Sequence, residues 1–165
     1  MELSRFEVWM PIYYEYLHSV RDGEIDELGH ANNTAYFQWM QSAAIAHSSE
    51  QGWPMERYRE KGWAWLVRRH EIEYRRPVLS GAEVRIRTWV ADMNRFTSLR
   101  KFEMYCGTLL MARAETNWAF VDLQNGRLRA IPEEVASAFQ LPEPPSPINE
   151  ESSASGGAEQ VSGGL

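Results

Sequence analysis

The chain has 165 residues, is 44% hydrophobic and carries a formal net charge of −6, which allows one domain with a sizeable core and gives no basic excess for gripping nucleic acid. Four of the acidic residues, Glu143, Glu150, Glu151 and Glu159, stand near the C-terminus without a basic neighbour, so the body of the chain is close to neutral. The single cysteine, Cys106, excludes an intrachain disulfide and suits a reducing compartment; the N-terminal stretch carries Glu2, Arg5 and Glu7 with no apolar h-region, so a soluble cytoplasmic protein is the expectation.

Residues 1–11 read as a partly docked arm, and residues 12–20, rich in Tyr and β-branched side chains, as a first strand. Its alternation puts Tyr14, Tyr16, His18 and Val20 on one face and Tyr13, Leu17 and Ser19 on the other. A loop follows, punctuated by Gly23 and Gly29. From Ala31 to Ser49 there is no Asp, Glu, Lys or Arg, and this apolar stretch predicts a helix over 34–50 sunk into a core. Gln38, Gln41, Ser42, His47 and Ser48 break the run, so it is not a membrane span. Asn32 or Asn33 is a fitting N-cap. Pro54 opens a short helix over 54–60, closed by Gly62.

Four strands are then expected, at 63–74, 82–91, 97–106 and from 108 to about 121, joined by turns at 77–81 and 92–95 and by Gly107. In the first of them Leu66, Arg68, His70, Ile72 and Tyr74 share one face. A hairpin turn at 122–126, a short return strand at 128–131 and a helix at 132–139 complete the domain, set at residues 1–141. Residues 142–165, with Pro142, Pro144, Pro145 and Pro147 followed by Ser, Gly and Glu, have the composition of a disordered tail. The order of elements implies an α+β layer: a curved antiparallel sheet wrapped around one long helix. One helix cannot cover so wide a sheet, and the remaining apolar face is expected to meet another subunit.

The stretch Asp26-Glu27-Leu28-Gly29-His30-Ala31-Asn32-Asn33 gathers a carboxylate, an imidazole and two amides at the positive end of that helix, a place suited to negative charge. A reaction that develops negative charge there would need an activated water or carboxylate nucleophile and donors for an oxyanion. Asp26 suits the first role; equally, it could simply stabilise the loop. The helix end favours its anion by about 0.3–1 kcal/mol, while complete burial would raise a carboxyl by up to about 3–5 units. Asp26 must therefore stay hydrated or hydrogen-bonded to be ionised, and Asn32 or Asn33 could supply the bond. Glu24 is a second choice for the acid. His30 could donate to a carbonyl, orient water or shape the loop. Tyr36, one turn in, suits packing or the lining of a substrate site. The four His residues lack metal-ligand spacing, and no Gly-rich phosphate loop is present.

Asp-x-x-Gly-His-x-Asn-Asn-x-x-Tyr at Asp26–Tyr36, the later Ile72-Glu73-Tyr74-Arg75-Arg76-Pro77 and the Val121-Asp122 ending together resemble the hotdog-fold thioesterases of the 4-hydroxybenzoyl-CoA type over residues 12–140. The resemblance implies a hotdog fold and acyl-CoA hydrolysis without metal or redox cofactor. Asp26 would be general base or nucleophile, and the N–H of Asn33 would polarise the thioester carbonyl. Arg95, Thr97 and Ser98 match the region that meets the CoA nucleotide; Arg68, Arg69, Arg75, Arg76 and Arg100 are further choices for its phosphates. The site would lie between the protomers of a homodimer, with two dimers forming a homotetramer. Plant-type acyl carrier protein thioesterases share the His-x-Asn-Asn run but have a catalytic Asn where this chain has Leu28, which favours the CoA branch. An acyl carrier protein thioesterase, a hotdog dehydratase and a non-catalytic acyl-binding module remain rivals. The aromatic residues suit an aromatic acyl group, a core or an interface.

Overall fold

A computed structural model describes residues 13–141. The expectations for the N-terminal arm and the C-terminal tail lie outside the described residues. Five strands, β1 (Tyr14–Ser19), β2 (Trp63–Tyr74), β3 (Glu83–Met93), β4 (Thr97–Cys106) and β5 (Leu109–Asp122), form one antiparallel sheet in the order β1-β3-β4-β5-β2. Helix α1 (Asn33–Glu50) packs on its inner face, α2 (Met55–Lys61) follows, and α3 (Glu133–Ala136) closes one end.

The ends of α1 follow from local chemistry. Asn32 is extended and its Oδ1 accepts from Ala35 N–H at 2.8 Å and from the Thr34 hydroxyl, so Asn32 is the cap and Asn33 the first helical residue. Pro54 caps α2, and Gly62 closes it in the left-handed region at φ 74°.

The helix is less enclosed than its composition suggested. Ala35, Tyr36, Trp39, Met40, Ala43, Ala44 and His47 form a buried stripe at helical spacing, while Phe37, Gln38, Gln41 and Ser42 are exposed in the protomer. The absence of charge therefore marks an uncovered, neutral face as well as a core face. Under the first half of the stripe lie Val84, Ile86, Phe102, Met104 and Ala112. A second cluster, with Trp53, Tyr58, Trp63, Phe120, Val135 and Phe139, lies at the far end under α2 and α3. Each large apolar side chain buried in this way contributes about 1.5–3 kcal/mol.

Three expectations need correction. In β2 the register shifts between Val67 and Arg69, so Arg68 is the extra residue of a bulge. Trp65 packs inward against Phe120 before the bulge and Ile72 packs inward after it, whereas Leu66 is exposed. Residues 128–131 form no strand; Leu128 makes one isolated bridge to Val121. The helix expected over 132–139 is one turn, after which buried Phe139 anchors the chain.

Candidate active site

The loop ahead of α1 is a small closed structure. Ile25 bridges to Ala31, Asp26 N–H donates to His30 C=O at 2.8 Å, and Gly29 N–H to Asp26 C=O at 3.0 Å. Gly29 has φ +80°, which this turn requires and which other residues adopt only with strain. The Asp26 side chain is exposed. Its Oδ1 accepts from the backbone N–H groups of Leu28 at 2.9 Å and His30 at 3.3 Å. Its bonds thus come from its own loop and not from Asn32, which is committed to the cap, or from the side chain of Asn33. Oδ2 accepts no hydrogen bond among the described residues. The carboxylate is held by one oxygen and free at the other.

Helix entry supplies the donors. The N–H groups of Asn33 and Thr34 have no protein acceptor among the described residues, as the first turn of a helix requires. They are exposed, together with the positive end of α1, on the segment that follows the Asp26 loop.

Glu24, the second choice for the acid, is fully engaged. Its carboxylate accepts from His18 Nε2 at 2.9 Å, from Trp39 Nε1 at 2.9 Å and from Arg21 N–H at 2.8 Å. Burial alone would raise it, but the bonds from Arg21, His18 and Trp39 outweigh burial and hold it below the ordinary range. Glu24 fastens the loop to β1 and α1 and leaves the reacting role to Asp26.

The other expected residues separate. Tyr36 is 2% exposed and packs against Trp39 and Tyr74, and burial pushes its hydroxyl up to about 12. It is a core residue and does not line an open surface of this protomer. His30 is half-buried in the loop, where its backbone carries the hydrogen bonds. Arg95 is exposed at the β3–β4 turn beside Phe96, and Thr97 is half-buried. Ser98 is 5% exposed and faces inward, so these three do not converge on one surface. Arg68, Arg69, Arg75 and Arg76 are exposed, Arg69 bonding Glu115 and Arg75 bonding Glu73. Arg100, a further choice for the CoA phosphates, is buried beneath α1 and presents no charge to the outer surface. Among the described residues no group of three or more His, Cys, Asp or Glu is placed to hold a metal ion, and no helix is long and apolar enough to cross a membrane.

The family model described as the thioesterase-like superfamily matches residues 20–139. No curated protein matches the sequence. Among solved structures, a hypothetical protein of Aquifex aeolicus superposes with a TM-score of 0.74 at 22% identity, covering 77% of this chain and 99% of that one. The 1,4-dihydroxy-2-naphthoyl-CoA thioesterase of Synechocystis gives 0.71 at 16% identity, covering 76% and 94%. The DHNA-CoA thioesterase of Staphylococcus aureus gives 0.69 at 19% identity, covering 72% and 80%. These likenesses carry the fold, a five-stranded antiparallel sheet curved about a long helix, and the family match extends over most of the chain: the protein is a hotdog-fold member of the thioesterase-like superfamily.

Proposed function

We propose that this protein is an acyl-CoA thioesterase in which Asp26 is the reacting carboxylate. The observation that carries the reading is the half-engaged state of Asp26: Oδ1 is fixed by Leu28 and His30 N–H groups while Oδ2 is left open, on the loop that leads into unpaired helix amides. Fixing one oxygen orients the group without consuming it. Exposure keeps it hydrated, the condition for remaining an anion.

As general base, Oδ2 takes a proton from water as that water attacks the thioester carbonyl carbon. The carbonyl oxygen gathers negative charge at the Asn33 and Thr34 N–H groups, then the C–S bond breaks and the proton passes to the departing CoA thiolate. As nucleophile, Oδ2 attacks the carbonyl itself, releases CoA and leaves an anhydride that water hydrolyses. Both routes give a free acid and CoA, and neither needs a metal or redox cofactor.

An exposed carboxylate on one protomer does not by itself exclude water or enclose an acyl group. The neutral exposed face of α1 and the uncovered middle of β2 suit a second copy, so the site is read as formed between protomers of a dimer or tetramer. The family, the fold and the absence of a spanning helix among the described residues fit a cytoplasmic enzyme.

Release of free thiol from a panel of aromatic and fatty acyl-CoAs tests the reading, with Asp26→Asn and Asp26→Ala alongside. Turnover by the wild type and a loss of about 10²–10⁴-fold in both variants is expected. Undiminished turnover in both would remove Asp26 from the mechanism. Hydrolysis of acylated carrier protein but not of acyl-CoA would move the substrate to the carrier-protein class.

A further inference from the structure

A cavity of about 280 Å³ lies behind the C-terminal half of α1, bounded by the helix, α2 and the inner face of the sheet. Gln41, the lining residue of α1 nearest the helix start, is about 12 Å along the helix from Asn33 at about 1.5 Å per residue, so the cavity is separate from the helix entry. Its lining is mainly apolar and includes the rings of Trp53, Trp63, Trp65, Trp118 and Phe139.

Two donors in that lining lack the partners their burial calls for. Arg100 is 6% exposed, and its partners are the neutral His47 (Nη1 to Nδ1, 2.9 Å) and Thr88 (Nη1 to Oγ1, 3.2 Å). No carboxylate among the described residues forms an ion pair with it. Burial lowers the guanidinium to about 10, so it stays cationic at neutral pH. Trp118 Nε1 is buried with no hydrogen-bond partner among the described residues. Across β4 and β5, Arg100 is opposite Thr116 and Trp118 is opposite Ser98. Arg100 and Trp118 are therefore diagonal neighbours on one face, roughly 7–8 Å apart.

Burying a charge without a counter-charge is costly, and so is leaving a buried N–H unpaired. An anion placed between the two groups relieves both. The one buried cation of the lining, set beside indole and phenyl rings with the exposed Arg59 as the other cation, suits a singly charged, planar group on an apolar body, because a phosphate would leave charged oxygens against the rings. We propose that this cavity binds a small carboxylic acid with an aromatic or compact aliphatic body, its carboxylate bridging the Arg100 guanidinium and the Trp118 indole N–H.

The test is a titration of the intact protein with benzoate, phenylacetate and hexanoate, each paired with its amide, followed by tryptophan fluorescence. Saturable quenching by at least one acid is expected, with its amide at least tenfold weaker. Arg100→Met and Trp118→Phe should each weaken acid binding tenfold or more while keeping the wild-type far-ultraviolet circular dichroism. Should Arg100→Met fail to fold, the acid–amide comparison and Trp118→Phe decide the matter. Equal binding of acids and amides, no saturable binding by any acid, or unchanged affinity in Trp118→Phe overturns the proposal. Acid binding is read without turnover, so its failure leaves the hydrolase reading standing, and loss of the hydrolase reading leaves the cavity open to the same titration.

Discussion

Arg100 Nη1 donates to His47 Nδ1 at 2.9 Å across the interface between β4 and α1. The bond requires a neutral imidazole with its proton on Nε2. Burial first, and then the Arg100 charge, hold His47 down at about 4, well below its ordinary 6.5. In the unfolded chain the same imidazole takes up a proton near 6.5. As pH falls from about 6.5 to about 4, the unfolded state therefore binds more protons than the folded one, and stability falls by up to about 1.4 kcal/mol per pH unit from this group. Urea unfolding at intervals across that window should show the slope. His47→Asn, which keeps an acceptor near the Nδ1 position, should flatten it; an identical slope in the variant would refute the assignment.

Glu24 and Asp26 stand two residues apart, yet their substitutions should separate stability from activity. Glu24 accepts three hydrogen bonds that join the loop, β1 and α1, and hydrogen bonds to a charged group contribute about 1.5–3 kcal/mol each. Glu24→Ala should destabilise the protein by about 2–4 kcal/mol, measured by urea unfolding at neutral pH. Because hydrogen bonds hold Glu24 below 4.5, its contribution is present above that pH and fades below it. Asp26→Asn should cost under about 1 kcal/mol, since an amide oxygen can still accept from Leu28 and His30 N–H. An equal stability loss in both variants would make Asp26 a loop-stabilising residue.

Gly29 offers a test of the loop that leaves every polar side chain in place. A Cβ added there meets nothing within 4 Å, but φ is +80°. Gly29→Ala is therefore a backbone perturbation without a steric clash, expected to cost about 1–2 kcal/mol. Thiol release should drop by more than the stability loss explains if the loop presents Asp26. Unchanged turnover in a folded Gly29→Ala protein would mean that the loop conformation does not serve the reaction.

The legible and hidden parts of this protein divide along physical lines. The termini of α1 and α2 were readable because Asn32, Pro54, Gly52 and Gly62 act through their own backbone chemistry. The bulge at Arg68 was not, because one inserted residue reverses the parity of everything before it and leaves no compositional trace. Arg100 was grouped with the arginines offered to the CoA phosphates, and its burial was not foreseen because arginine is seldom buried. A usable signal was nevertheless present: Arg100 shares its strand face with Phe102 and Met104, both buried. Ser98 carries the same parity, which separates it from Thr97. The role of Glu24 needed the fold, since Trp39 and His18 reach it from different elements.

The open edge of the sheet gives the last prediction. β2 is twelve residues long and borders β5 on one side only. Residues Leu66 through Glu71 are exposed, with Leu66 at 51% and Val67 at 43%. Beside this strand, Phe37 from the neutral face of α1 packs on His70 and is itself partly exposed. A long edge strand with exposed apolar side chains is a template for pairing unless something covers it. A second copy of the chain would cover it and bring the neutral face of α1 against a partner. Leu66→Glu on this edge places a charge where that contact forms, yet removes little from the core of the protomer. Sedimentation equilibrium should show dimer or tetramer for the wild type and an association weakened at least tenfold for Leu66→Glu, the equivalent of about 1.4 kcal/mol. Thiol release per chain should then fall on dilution in step with dissociation. A variant that is monomeric by sedimentation and keeps full activity would place the whole reacting site within one protomer.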